Sequence, residues 1–183
     1  MMRSIDLISP RYREQQRVLH ARPQGYGGKG HKWAPVVRAL VTEYQAYSVL
    51  DYGCGQGSLV RALADPRLPG VRLDEYDPAI PGKDMLPSFA DLVVCTDVLE
   101  HVEPELLASV LSHLRMLARK AVWLVVSTRE TAKVLDDDRN AHLTVHPGTW
   151  WVARCLTAGF ALRPVPAEAR QRPDKEWMAV LTP

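Results

Sequence analysis

The chain has 183 residues, 46% hydrophobic and 24% charged, with a formal net charge of +2. That is enough for one domain with a proper core. The charge is too small to argue for nucleic acid as a partner, and no apolar run reaches the ~18 residues that span a bilayer. The N-terminus lacks the basic-then-apolar layout of a signal peptide. Cys54, Cys95 and Cys155 are too scattered for a disulfide framework and read as reduced thiols. A cytoplasmic protein is expected, and its oligomeric state is not written in these numbers.

Residues 1–24 are polar and Arg-rich, with weak helical order from Tyr12 to His20. Gly25-Tyr-Gly-Gly-Lys-Gly-His-Lys-Trp33 follows, four glycines among aromatic and basic residues. It reads equally as a flexible linker or as a lid, because Tyr26, His31, Lys32 and Trp33 are a costly choice for a spacer. Tyr26, Lys32 and Trp33 thereby become candidate substrate contacts. No strand precedes the stretch, so phosphate-loop geometry is missing. The chain divides into an N-terminal segment, 1–32, and a single domain over 33–183. Trp33, Val36, Val37, Leu40, Val41 and Tyr44 share one helical face.

Val49-Leu-Asp-Tyr-Gly-Cys-Gly-Gln-Gly-Ser-Leu-Val60 reads as a strand, a glycine turn and a helix that ends near Asp65-Pro66. Open α/β sheets use this unit to present backbone N–H groups and a helix N-terminus to a nucleotide-like ligand. Gly53 and Gly55 would let the backbone pass close under it, and Asp51 places a carboxylate at the strand's end. The spacing Gly-x-Gly-x-Gly is not the dinucleotide fingerprint Gly-x-Gly-x-x-Gly, which disfavours an oxidoreductase. Val71 to Tyr76 reads as the second strand, closed by Asp77-Pro78. Asp77 lies about 20 residues past the glycine turn, where such sites place an acid for ribose hydroxyls; the plainer reading is a turn-forming Asp-Pro. Only fourteen residues, 78–91, then precede the strand Leu92-Val-Val-Cys95. No helix plus strand fits that span. Thr96 to Val102 forms the turn at the carboxyl end of this strand, facing the same ligand.

Glu103-Pro104 reads as the start of a helix with proline at its first position. Its stripe is Leu107, Val110, Leu111, Leu114, Leu117 and Ala118, and Arg119-Lys120 suits its C-terminal dipole. Ala121 to Val126 is the next buried strand, ending at Ser127-Thr128-Arg129. The polar stretch Glu130 to His146 either drapes over the site or is a solvated loop. Pro147 to Ala158 reads as a helix ended by Gly159, and Phe160 to Val165 with Glu176 to Leu181 as a final antiparallel hairpin.

Asp51-Tyr-Gly-Cys-Gly-Gln-Gly57 resembles motif I of the class I S-adenosylmethionine-dependent methyltransferases. Asp91-Leu-Val-Val-Cys-Thr-Asp-Val-Leu-Glu-His-Val102 resembles that family's fourth strand and following turn. The resemblance covers residues 48–128. It implies an α/β fold with a Rossmann-like class I methyltransferase sheet, mostly parallel with a C-terminal antiparallel hairpin, and with the usual third strand missing or vestigial. It implies S-adenosylmethionine as cofactor, its methionine end over Gly53 and Gly55. The cofactor residues it implies are Asp51, Gly53, Gly55, Gln56, Asp77, Pro78, Thr96, Asp97 and Val98. The adenine-side acid finds its best match in Asp84, followed by Met85, with a surface turn as the alternative. Tyr-Gly-Gly before the first helix, and Arg-Asn-Ala-His-Leu before a Trp-Trp helix, resemble small proteins common in phage and bacterial genomes.

The implied reaction is displacement of a methyl group by an aligned nucleophile, in which the protein supplies positioning and, for an O or N nucleophile, a base. His142 and His101 are the candidate catalytic residues, with Glu100 and Asp97 as carboxylate alternatives; the resemblance implies for His101 the alternative of a place beside the cofactor, and His146, also a candidate base, is more simply a loop residue. Arg129 and Trp150 join the substrate side, with Trp150-Trp151 as a flat wall for a ring-shaped acceptor; the plainer reading has His142 capping the loop and both tryptophans in the core. No metal-ligand cluster stands out. The expectation is methyl transfer to a small-molecule or nucleobase-like acceptor. The alternatives are a catalytically silent accessory subunit that binds the cofactor, and a nucleotide-cofactor oxidoreductase.

Overall fold

Strands with a continuous apolar run must be covered on both faces there, and residues 92–95 and 121–126 are runs of that kind. The computed structural model describes residues 6–21, 26–64, 68–170 and 172–183. Its strands are β1 (Ser48–Tyr52), β2 (Arg72–Tyr76), β3 (Ala90–Thr96), β4 (Ala118–Ser127), β5 (Ala161–Arg163) and β6 (Glu176–Thr182). They form one sheet in the order β2-β1-β3-β4-β6-β5. The first four strands run parallel, and β6 lies antiparallel between β4 and β5. The helices are α1 (Pro10–His20), α2 (Ala34–Glu43), α3 (Ser58–Leu63), α4 (Leu107–Leu117) and α5 (Gly148–Thr157). None of the described helices is long and apolar enough to cross a membrane.

The period-two alternation of each strand sorts its side chains into two cores. Val93, Cys95, Val122, Leu124 and Val126 meet the stripe Leu107, Val110, Leu111 and Leu114 of α4, with Trp151 and Cys155 of α5. Leu92, Val94, Trp123 and Val125 meet Val36, Val37 and Leu40 of α2, with Leu59 and Leu63 of α3. The result is a sheet with a helical layer on each side. A third, smaller cluster joins Tyr12 and Leu19 of α1 to Leu135 and Ala141.

The short span after β2 carries no strand: residues 78–83 form turns, closed by the Asp77 N–H donating to the Lys83 carbonyl at 2.9 Å, and residues 84–89 run on without regular structure. The helix expected from Glu103 begins instead at Leu107, because residues 103–106 form a separate turn with Leu106 N–H on the Glu103 carbonyl at 2.9 Å. Arg119 and Lys120 do not end that helix. They belong to β4, where Ala118 pairs with Ala90, and the Lys120 ammonium reaches the Gln45 carbonyl at 2.7 Å and Asp91 at 3.5 Å. Asp65 and Pro66, expected to stop α3, lie outside the described residues, as does Gly25.

Trp123 is fully buried in β4, edge-on to Trp33 with ring centroids 5.9 Å apart. Its indole N–H and that of Trp33 have no hydrogen-bond partner among the described residues. Trp123→Ala is therefore expected to lower stability by about 3–5 kcal/mol. Trp123→Phe should cost clearly less, because it keeps most of the volume and removes an unpaired donor. Urea unfolding measures both; equal losses would contradict this account of the core.

Candidate active site

Strand β1 has β2 on one side and β3 on the other, so the connections leaving its neighbourhood diverge and open a crevice at the carboxyl ends of the strands. A cleft of about 420 Å³ lies there, within the ~300–1,000 Å³ of small-molecule sites. Its floor comes from the turns after β1, β2 and β3.

The glycine turn is held in left-handed backbone, with φ of 75° at Gly53, 52° at Gly55 and 70° at Gly57. Gly53 and Cys54 donate N–H bonds to the Tyr76 carbonyl at 2.7 and 3.1 Å, which locks the turn to the end of β2. The space beside these glycines is filled by protein as well as by the crevice. A Cβ on Gly53 would collide with Val98, and one on Gly55 would lie 2.5 Å from the Gly27 carbonyl oxygen. Gln56 N–H donates to that same carbonyl at 3.0 Å. The absent side chains thus allow the segment around Gly27 to close down on the turn.

Two buried carboxylates flank it. Asp77 is 6% exposed; one oxygen accepts the Gly55 N–H and the other the Ala79 N–H, each at 3.0 Å. Asp51 is 5% exposed, and no hydrogen bond reaches its carboxylate among the described residues. Burial, reinforced by the charge of Glu75, pushes the Asp51 carboxyl up to about 7. A desolvated acid of this kind suits a cationic ligand group.

The roof is built from α1, residues 26–32 and the loop after β4. Ser9 caps α1 through Tyr12 N–H and anchors it to the Glu103 carboxylate at 2.6 Å from its hydroxyl. Gln15 and Arg11 hold Asp136 and Asp137 of the loop. Tyr26 sets its ring edge against His20 at 4.8 Å, and its hydroxyl lies 3.1 Å from Nδ1 and 3.3 Å from Nε2 of His101. Lys32 pairs with Asp97 at 2.8 Å and ties the glycine-rich segment to the turn after β3. Asp97 itself adopts a left-handed φ of 57°.

The loop is not a loose one. Asn140 accepts the N–H of His142 at 2.9 Å and donates to the Thr131 carbonyl at 2.7 Å, a staple that orients His142. His142 Nδ1 lies 2.7 Å from the Arg129 carbonyl, and His101 Nδ1 lies 2.7 Å from the Ala141 carbonyl. A carbonyl only accepts, so both Nδ1 atoms carry the hydrogen and both Nε2 atoms hold a lone pair. The rings stand 4.7 Å apart at 88°. Burial, with the neighbouring His142, lowers the His101 pKa to about 3, and burial lowers that of His142. Both rings are neutral at physiological pH. Beside them Glu100, on the 3₁₀ turn Leu99–His101, is 1% exposed. Its Oε1 accepts the Ser127 N–H at 3.1 Å, whereas its Oε2 has no partner among the described residues. Burial, and then Asp97, raise its pKa to about 8.

The cleft therefore gathers Asp51, Gly53, Gly55, Asp77, Pro78, Thr96, Asp97, Val98, Tyr26, Lys32, Arg129, His101 and His142. Five expected residues stand elsewhere. Gln56 is exposed, and its amide donates to the His20 carbonyl at 3.1 Å. Asp84 accepts the Gly82 N–H at the surface, and Met85 is 83% exposed; the turns that replace a third strand carry both outward. Trp33 lies in the core against Trp123. Trp150 stacks on His146 at 3.9 Å, with Arg154 over its ring at 4.6 Å, and Trp151 is fully buried. The flat aromatic wall is thus absent from the cleft, because α5 turns its tryptophans to the sheet and to its own N-terminal loop. Tyr12, Gln16 and His20 of α1 line the cleft and were not anticipated. Their one sequence signal, the recurrence Tyr12, Gln15, Gln16, Leu19, is masked by its glutamines. His20 Nδ1 is buried without a partner among the described residues, and its Nε2 lies 3.9 Å from Asp77.

Similar folds are known. The magnesium protoporphyrin IX methyltransferase of Synechocystis PCC 6803, solved with bound S-adenosylhomocysteine, superposes with a TM-score of 0.60 at 18% identity over 92% of each chain. The 1,6-didemethyltoxoflavin-N1-methyltransferase of Burkholderia thailandensis, solved with its substrate and S-adenosylhomocysteine, gives 0.63 at 16% identity, over 96% of this chain and 91% of that one. A S-adenosylmethionine-dependent methyltransferase of Clostridium acetobutylicum ATCC 824 gives 0.57 at 10% identity, over 82% and 90%. No curated protein matches the chain by sequence. The profile of the family described as Methyltransferase domain matches residues 26–163, most of the sheet together with the glycine turn and the acid–imidazole cluster. A six-stranded sheet of this order, its cleft at the switch point, and a family match over more than half its length place the chain in the methyltransferase domain family, as a class I methyltransferase.

Proposed function

We propose that the protein is an S-adenosylmethionine-dependent methyltransferase acting on a small-molecule acceptor that presents an O–H or N–H nucleophile. The observation that carries this reading is the pair of buried carboxylates, Asp51 at the end of β1 and Asp77 bonded to the glycine turn, that line one cleft with two neutral imidazoles. The binding of S-adenosylhomocysteine by the Synechocystis and Burkholderia enzymes supports it, as do the small molecules, magnesium protoporphyrin IX and 1,6-didemethyltoxoflavin, in their names. A nucleobase-like acceptor stays within the small-molecule class but loses the support of a tryptophan wall.

When bound, S-adenosylmethionine supplies a methyl group already activated on a sulfonium. The chain's own residues then bind, orient and exclude water. Asp77 keeps lone pairs beyond those given to Gly55 and Ala79, and these would accept from the ribose hydroxyls. Asp51 would hold the α-ammonium. Tyr26 and α1 cover the cleft, and His142 with His101 stands on the acceptor side, where an Nε2 lone pair can act on the nucleophile.

Calorimetric titration with S-adenosylhomocysteine tests the cofactor assignment. Charge-assisted bonds worth about 1.5–3 kcal/mol each make Asp77→Ala tens-fold weaker or worse; a loss of twofold or less sinks the ribose role. Gly55→Val, which combines a left-handed φ with the Gly27 contact, should abolish binding.

Acidity gives a second check. The folded-state pKa of Asp51 is raised, so the folded protein holds a proton that the unfolded chain releases between about pH 4 and pH 7. Its contribution to stability therefore falls as pH rises through that window and is flat above it. Asp51→Asn should raise stability at pH 8, by at most about 4 kcal/mol, while weakening cofactor binding. In the wild type, S-adenosylhomocysteine affinity should fall as pH drops below about 7, and in Asp51→Asn that dependence should vanish. A flat wild-type profile from pH 6 to 8 would remove Asp51 from the ammonium site.

The acceptor side is tested with His142→Ala. Turnover should drop at least tenfold with S-adenosylhomocysteine affinity retained; full activity against an identified acceptor would take His142 out of the reaction.

A further inference from the structure

The two imidazoles and the buried carboxylate at the acceptor end of the cleft are arranged in a way that serves cation binding as well as proton transfer. Each histidine spends its Nδ1–H on a backbone carbonyl, Ala141 for His101 and Arg129 for His142, both at 2.7 Å. That arrangement fixes the tautomer and aims the remaining lone pair, as it does behind metal-bound histidines. Glu100 lends one oxygen to Ser127 N–H and leaves the other buried and unpartnered among the described residues. Donor atoms of Glu100, His101 and His142 all lie within 4.8 Å of one another. The nearby ammonium groups are engaged elsewhere, Lys32 on Asp97 at 2.8 Å and Lys133 over the Tyr26 ring at 4.4 Å.

We propose that Glu100, His101 and His142 form a binding site for one divalent transition-metal cation of the zinc or manganese kind, open toward the cleft. Two imidazole nitrogens and one carboxylate oxygen are a donor set for such cations, whereas magnesium and calcium favour oxygen alone. Bonds of about 2.0–2.2 Å need donors roughly 3–4 Å apart. The approach from the present spacing falls to His142, the ligand carried on the half-exposed loop. The weak Tyr26 hydroxyl contact on His101 gives way as the cation takes the Nε2 lone pair.

The inference rests on the methyltransferase reading and sharpens its acceptor. A hydroxyl bound to the cation's open position is acidified: its O–H bond breaks, the electron pair stays on the cation-bound oxygen, and the proton leaves to water in the cleft. The acceptor class is then a phenol, an alcohol or a vicinal diol, and not an amine. His142 acts as a ligand and not as the base.

The test uses tag-free full-length protein, stripped with chelator and titrated separately with zinc, manganese and magnesium chloride, and in parallel with S-adenosylhomocysteine. One equivalent of zinc or manganese should bind, magnesium should not compete, and Tm should rise by about 5–10 °C at a hundredfold excess over Kd. Bound manganese should lose its aqueous electron-resonance signal. Glu100→Gln and His142→Ala should each weaken cation binding at least tenfold, with S-adenosylhomocysteine affinity within twofold of wild type in His142→Ala. Should Glu100→Gln fail to fold, His142→Ala decides, because its side chain lies on a loop. Wild-type protein that takes up no cation, or variants that bind it as wild type does, overturn the site. Cofactor product bound without any cation leaves the methyltransferase reading standing and the metal site refuted; the reverse result refutes the methyltransferase reading alone.

Discussion

The burial of β3 and β4 on both faces governs where chemistry can occur in this molecule. Val93, Val94, Cys95, Val122, Trp123, Leu124 and Val125 are all fully buried, so a polar side chain among them would need a partner that the two cores do not offer. Polar groups emerge only where the strands end. At the amino ends they are spent on structure: Ser48 and Asp91 bond across the adjoining strands, and Lys120 joins Asp91 to the Gln45 carbonyl. At the carboxyl ends they are left facing a crevice. The position of the site follows from this polarity and from the divergence of chain direction around β1.

A second dependence runs through two glycines that have no side chain to keep them apart. Gly27 closes on Gly55, which brings Tyr26 and Lys32 over the cleft. The roof then completes itself through long-range contacts of modest size: Ser9 on Glu103, Gln15 on Asp136 and Asp137, and a small apolar cluster of Tyr12, Leu19, Leu135 and Ala141. Its side chains are fewer and more polar than those of the two cores. It is held by a smaller apolar cluster than the sheet is, which suits a cover that must admit and release ligands.

The cleft carries an electrostatic cost. Asp51 and Glu100 are both held near or above neutral pKa by burial, and three imidazoles on its walls, those of His20, His101 and His142, are pushed toward the neutral form. Clustered perturbation of this kind in one concave site is what ligand chemistry requires and what stability alone would select against.

Much of this was legible in the order of residues. The strand–glycine–helix unit at 49–60, the acid at Asp77, the buried strand at 92–95 and the shortness of residues 78–91 are local signals: side-chain period, glycine where φ is positive, and a span too brief for a helix plus a strand. Each concerns neighbours in the chain, so each survives without knowledge of the fold. Where the backbone continued against its own signal, sequence reading failed by a few residues, as at Arg119 and Lys120, whose strand character comes from pairing with β3 and not from their type. What only the tertiary structure decided is which distant groups meet. His142 reaches His101 across 41 positions because the Asn140 staple and the packing of α1 fold the loop back over the cleft. Trp33, Trp150 and Trp151 fill cores and loop contacts because helices present faces, and which face meets the sheet is settled by packing. Asp84 and Met85 point away because the missing strand leaves a turn with nothing to bury. Residue type named the chemistry that this chain can perform; long-range packing determined which of those groups share a site.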